Sequence, residues 1–231
     1  MFPVSIVQLL SLQNLTTLRL YNCERLAHLF SSSLARNLLQ LKMIAIENCK
    51  ELEQIIVEDH TEDDHVQLGL FLNLSFISVY GCGKLKTLFP AVTIARSGLQ
   101  KLKTLIVESS SQLEELFWLK DEADMTSHRE MVLPQLKELT LRNLASLVNF
   151  CPVGYHFIFP SLSRLVVSRC PKITTRFSVV DQNRSVHAEA EAPQIGKEDV
   201  DMEQSPPETS GEISCRDFDD LRKQLPPYIE K

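Results

Sequence analysis

Glycine is scarce in this chain, with seven in 231 residues, and tryptophan occurs once. So little glycine excludes a collagen-like chain, and 44% hydrophobic residues exclude a chain disordered throughout. Six cysteines with no CxxC pair are too few and too scattered for a disulfide scaffold or a zinc site. No long apolar run is present. The most apolar stretch, residues 68–82, is interrupted by Asn73, Ser75 and Ser78 and alternates as a strand does. The first basic residue is Arg19, so the charged start of a secretory signal is missing. These features together lead us to expect a soluble, cytoplasmic protein with reduced thiols. An excess of positive charge is also lacking. The net charge is −6, which argues against a general nucleic-acid binder. That charge is concentrated at one end. Residues 181–231 hold 13 acids and 6 bases, whereas the preceding 180 residues are near neutral.

What the chain has in abundance is leucine at regular intervals. The segment from Leu15 to Leu29 reads LxxLxLxxCxxLxxL, with Leu18, Leu20, Cys23 and Leu26 at its inner positions. It recurs as Leu41, Ile44, Ile46, Cys49, Leu52, Ile55, and as Leu74, Ile77, Val79, Cys82, Leu85, Leu88. Ser110 replaces the cysteine in the copy built on Leu102, Leu105 and Val107, and Leu144 replaces it in the copy built on Leu136, Leu139 and Leu141. The last copy runs through Leu162, Leu165, Val167, Cys170 and Ile173. The fourth-position residues are spaced by 26, 33, 28, 34 and 26.

Such a pattern predicts an α/β leucine-rich-repeat solenoid of about six coils. A curved parallel sheet would line its concave side, with short helices or irregular turns on the convex side. The LxL core of each copy is a short strand whose two apolar side chains point inward. The cysteine that follows packs in a turn, where a small, weakly polar group can bond to the backbone. Leu144 cannot do so, and its coil must close differently.

A longer period overlies the shorter one. The run from Leu29 to Arg36 resembles that from Leu88 to Arg96, so the array reads as repeats of a two-coil unit, with Ser33 or Thr93 capping a convex helix. Polar insertions at residues 57–65 and 120–130 should emerge on one edge. We therefore divide the chain into an array, residues 1–180, and an acidic, mostly disordered tail, residues 181–231. Within the tail, residues 215–224 could form a short amphipathic helix. No cap precedes the first coil, which leads us to expect a fragment of a longer protein or a truncated gene model.

Catalytic signatures are missing. Gly81-Cys82-Gly83-Lys84 lacks the upstream glycine of a phosphate loop, and Leu85 stands where a hydroxyl is needed. The acidic loop holding His60 and His65 would bind a divalent cation weakly at best. The sequons at Asn14, Asn73 and Asn183 carry no weight without a signal peptide. We therefore expect no enzyme activity, no cofactor and no metal. What remains is the outward face of the concave strands, where Arg19, Tyr21, Glu47, Phe76, Tyr80, Ile106, Glu108, Arg142 and Arg164 would form a protein-binding surface. These positions vary from coil to coil, so core packing does not dictate them.

The Cys-bearing repeat, the LFxxxxAR runs and the Leu-Glu-Gln-Ile-Ile and Leu-Glu-Glu-Leu-Phe segments resemble one family over residues 12–175. It is the C-terminal leucine-rich repeats of plant intracellular disease-resistance proteins, of the coiled-coil type with a nucleotide-binding module. The resemblance implies a non-catalytic recognition module of innate immunity. It would sense a pathogen effector or a guarded host protein and would hold a nucleotide-binding switch inactive. This sequence contains no P-loop, so that switch would lie outside it. Protein partners are expected, and neither nucleic acid nor a membrane span. A generic interaction scaffold or a ubiquitin-ligase substrate adaptor is the alternative. A secreted receptor ectodomain fits less well, because Cys stands where such repeats carry Asn.

Overall fold

The computed structural model describes residues 14–57, 71–91, 98–119, 130–180 and 185–190. All fall in the first of two compact units, residues 1–193. Residues 58–65 and 120–129 of the polar insertions, Thr93, and the stretch at 215–224 lie outside the described residues.

Six five-residue strands form one parallel sheet. They are β1 (Thr17–Tyr21), β3 (Met43–Glu47), β5 (Phe76–Tyr80), β7 (Thr104–Glu108), β10 (Glu138–Arg142) and β12 (Arg164–Ser168), adjacent in that order. Each pairs with the next in the same register, so Leu18, Ile44, Ile77, Leu105, Leu139 and Leu165 stand side by side. Alternation along a strand sends the LxL side chains to the core and the flanking residues to the opposite face.

Two further sheets back this one. β2 (His28–Ser31), β4 (Gln54–Val57), β6 (Thr87–Pro90) and β8 (Glu115–Trp118) pair in parallel. The third sheet has the order β13-β14-β11-β9, formed by Thr175–Val180, Ser185–Ala190, His156–Phe159 and Glu130–Val132. Among the described residues, short strands join the helix and irregular turns expected on the convex side. One helix is present among the described residues, α1 (Ser32–Asn37), and its cap is Ser31 rather than Ser33. The Ser31 hydroxyl accepts from the Leu34 amide at 3.2 Å. Moving the cap two residues earlier turns Ala35, rather than Leu34, fully inward.

Disorder was expected from residue 181, yet Ser185–Ala190 form a strand between β11 and β13, antiparallel to both. Val186, Ala188 and Ala190 alternate with Ser185, His187 and Glu189, and Ala188 is paired with Phe157 at full burial. Composition averaged over the whole tail hid this short period-two pattern.

The core is one continuous cluster along the array. A row of phenylalanines runs through it. The Phe30–Phe71, Phe71–Phe89, Phe89–Phe117 and Phe117–Phe150 ring centroids lie 5.7, 6.0, 6.3 and 5.4 Å apart, tilted or edge-on as aromatic quadrupoles prefer.

Each coil turns out of its concave strand through one residue in the left-handed region. These residues are Asn22, Asn48, Gly81, Ser109, Asn143 and Arg169, with φ between 51° and 67°. Asparagine and glycine tolerate that conformation best. The turn aims its N–H along the array. Asn22, Asn48, Gly81, Ser109 and Asn143 donate to Glu47, Tyr80, Glu108, Arg142 and Ser168 of the following coil, at 2.8–3.1 Å.

The next residue is the cysteine, and its thiol reaches back to the carbonyl two residues earlier. Cys49, Cys82 and Cys170 do so at 3.5, 3.6 and 3.4 Å, and the Ser110 hydroxyl does the same at 3.4 Å. Ser110 also accepts from the Cys82 amide at 3.3 Å. Leu144 makes neither bond. Its coil keeps the 3.3 Å turn bond from the Leu147 amide to the Leu144 carbonyl, the one that Leu52, Leu85, Leu113 and Ile173 make in theirs.

The five cysteines of the described residues are all free thiols. Burial pushes Cys82 up to about 12, with a backbone hydrogen bond from Cys49 pulling the other way. Burial likewise pushes Cys151 up to about 12. A thiol held protonated is a poor nucleophile. Alkylation of the native chain should therefore reach half-exposed Cys23 well before Cys49, Cys82, Cys151 or Cys170. Mass spectrometry of the labelled peptides checks this, and early labelling of Cys82 or Cys151 would contradict it.

Glycines 81 and 83 provide a matched pair. A Cβ on Gly81, at φ +67°, would lie 2.4 Å from the Asn48 Oδ1, whereas one on Gly83 meets nothing within 4 Å. Gly81→Ala should cost about 1–2 kcal/mol in urea denaturation, chiefly from the backbone conformation, and Gly83→Ala close to nothing. Equal costs would show that the left-handed turn is not strained by a side chain.

Candidate functional site

The outward face of the six-stranded sheet is a grid of three columns, fixed by the shared register. The first reads Thr17, Met43, Phe76, Thr104, Glu138, Arg164. The middle one reads Arg19, Ala45, Ser78, Ile106, Thr140, Val166, and the third reads Tyr21, Glu47, Tyr80, Glu108, Arg142, Ser168. Eight of the nine residues expected to form a binding surface present some surface here. Ile106 is the exception. At 4% exposure it belongs to the floor, with Ser78 and Thr140 beside it also buried. Concave curvature crowds outward side chains together, and the middle column is hemmed in by longer residues on both sides. From β5 to β10 only the two outer columns are raised.

The grid has two halves. Toward β12 the charges neutralise one another. Arg164 lies 3.1 Å from Glu138, and Arg142 lies 3.8 Å from Glu108. Burial pushes the Glu108 carboxyl above the usual carboxylate range, and Arg142 only partly offsets it. Toward β1 the surface is aromatic and sulfur-bearing. Tyr21 is 54% exposed and Tyr80 37%, and the Arg19 guanidinium lies 3.9 Å from the Met43 sulfur.

The Gly81–Lys84 turn offers no anion cradle. Lys84 is committed to Glu51, 2.6 Å away, on the exposed turn surface. Among the described residues no group of three or more His, Cys, Asp or Glu is placed to hold a metal ion. No helix among them is long and apolar enough to cross a membrane.

A second polar cluster, which sequence reasoning missed, joins the strands of the third sheet. Ser185 Oγ lies 2.7 Å from His187 Nε2, and His187 Nδ1 lies 2.8 Å from His156 Nε2. Register places Glu130 of β9 and Glu189 of β14 beside His156, and Ser178 of β13 beside His187. Arg176 of β13 is opposite Glu189. Histidines 31 residues apart gave no sequence signal, because β14 itself was not expected.

A stack of LxxLxLxxC coils with a graded concave face defines the class, a leucine-rich-repeat recognition array. The family described as plant disease resistance protein RPS2-like, leucine-rich repeats, matches residues 4–50 and 51–184. The chain belongs to this family. No curated protein and no solved structure gives a significant match. The family assigns the array a protein-interaction role in plant immunity, and such repeats are typically non-catalytic recognition modules.

The histidine pair leads us to expect a third sheet that is sensitive to acid. Burial and the charge of His156 lower the His187 pKa from its ordinary value of 6.5, against a smaller opposing pull from Glu130. A depressed histidine adds stability above the unfolded value, and that contribution is lost as pH falls below it. Amide protection in β14 should therefore drop between about pH 7.5 and about pH 5.5 in hydrogen exchange corrected for intrinsic rate. His156→Gln should reduce the drop. Protection that is flat across this range would contradict the assignment.

Proposed function

We propose that this array senses a pathogen effector, or a host protein that an effector modifies, on its concave face. In the absence of that signal it restrains a nucleotide-binding switch of the coiled-coil class, located outside residues 1–231. Binding would favour the released state through differential contacts, which is the only way a ligand shifts such an equilibrium. One observation carries this reading. The inward positions of every coil repeat one chemistry, whereas the raised columns change from Tyr and Met near β1 to Glu and Arg near β12. Aromatic and arginine side chains of this kind supply most of the energy at protein interfaces. The free thiols accord with a reducing, cytoplasmic setting.

The test uses the purified chain against a panel of secreted effector proteins and against the nucleotide-binding module of a receptor of the same family. Tyr80→Ala and Arg142→Ala should each weaken a specific complex about tenfold or more, with the melting temperature little changed. Binding indifferent to both substitutions would overturn the concave face as the recognition surface.

A further inference from the structure

The carboxylates of the concave face differ in one respect. Glu108 and Glu138 face arginines on the neighbouring strand. Glu47 has no ion pair among the described residues, and its side chain is half-buried at the centre of β3's outer end. Its backbone carbonyl serves the array, accepting from the Asn22 amide at 3.0 Å, while its carboxylate has no ion pair among the described residues. The nearest cation on the face, Arg19, turns toward the Met43 sulfur in the opposite column.

Glu47 is flanked in register by Tyr21 on one side and Tyr80 on the other. Both rings are substantially exposed. Two strand spacings, about 10 Å, separate the tyrosine backbones, so rings leaning toward Glu47 can hold a flat group between them. Beside them on the floor are Ala45 and Ser78, the two smallest side chains of the middle column. Little side-chain bulk therefore stands beside Glu47 on that floor. A carboxylate flanked by two aromatic residues, next to short side chains, is complementary to one chemistry: a planar cation on an unbranched chain. Arginine satisfies all three parts, donating to the carboxylate, stacking on the rings and laying its methylenes over the short side chains.

We propose that Tyr21, Glu47 and Tyr80 form a receptor for a single arginine side chain of the protein partner. This rests on the concave face being the docking face and adds the chemistry of what docks there. It assigns the specificity of the β1–β5 half to a buried cation and leaves the self-neutralised β7–β12 half as surrounding surface. The missing cation at Glu47 is thus supplied by the partner. At Glu108 and Glu138 it comes from the array.

The chain has four tyrosines, so its ring signals are few, and buried Tyr155 serves as an internal control. The probe is the peptide acetyl-Gly-Arg-Ala-Gly-amide, titrated into the full chain carrying isotope-labelled tyrosine. The comparison peptide has citrulline, which keeps the shape without the charge. The arginine peptide should shift the Tyr21 and Tyr80 ring signals and leave Tyr155 unmoved. The citrulline peptide should bind about tenfold more weakly or not at all. Glu47→Gln should weaken the arginine peptide by about the same factor, whereas Glu138→Gln, on the same face, should not. Melting curves confirm that each variant is folded. Equal shifts with citrulline, or an unchanged affinity in Glu47→Gln, would overturn the proposal. Either failure leaves the docking reading standing, because the panel of partner proteins tests that reading separately through Tyr80 and Arg142.

Discussion

No coil of this array closes a core by itself. Its inward leucines are buried only when another coil stacks against them, and this dependence shapes the rest of the molecule. In the four inner concave strands the two LxL positions are fully buried, from Ile44 and Ile46 through Leu139 and Leu141. In the last strand the equivalent Leu165 and Val167 are 36% exposed, although the residue types are the same. The left-handed turn residue serves the same dependence. By aiming its amide at the next coil, it fixes register between coils, and register in turn fixes which side chains share a column. The phenylalanine row fills the space that the leucines leave between the concave sheet and its backing sheets.

The concave face follows from that scaffold. A common register puts a middle column under steric pressure and raises the two columns beside it. The array thus confines its variable chemistry to narrow stripes, where a side chain can change without disturbing the packing beneath. Charge is handled differently along the stripes. Near β12, ion pairs between adjacent strands hold Glu108 and Glu138. Near β1, Glu47 has no such ion pair among the described residues and stands between the exposed Tyr21 and Tyr80.

Much of this was legible in the sequence. LxxLxLxxC specified the inward leucines, the parallel strands and the turn thiols, because each position obeys a constraint that recurs in every coil. Asn22, Asn48, Gly81 and Asn143 also mark the left-handed turn, as residues that tolerate positive φ at one repeat position. The convex strands were harder to see. Segments such as Gln54–Val57 and Thr87–Pro90 are four residues long and carry no periodicity that separates strand from irregular turn. Ile106 was misplaced because alternation reports the direction of a side chain and not the curvature that covers it. The Ser185–His187–His156 cluster depends on a long-range pairing that no local pattern encodes.

Native-state hydrogen exchange, read residue by residue, tests most directly whether stability flows between neighbouring coils. The turn amides of Asn48, Gly81 and Ser109, each held between coils, should exchange slowest and together. The amides of β1 and β12, which have a partner strand on one side among the described residues, should exchange faster. Uniform protection across the array, or slowest exchange at β12, would show that each coil is stable without its neighbours and would contradict that expectation.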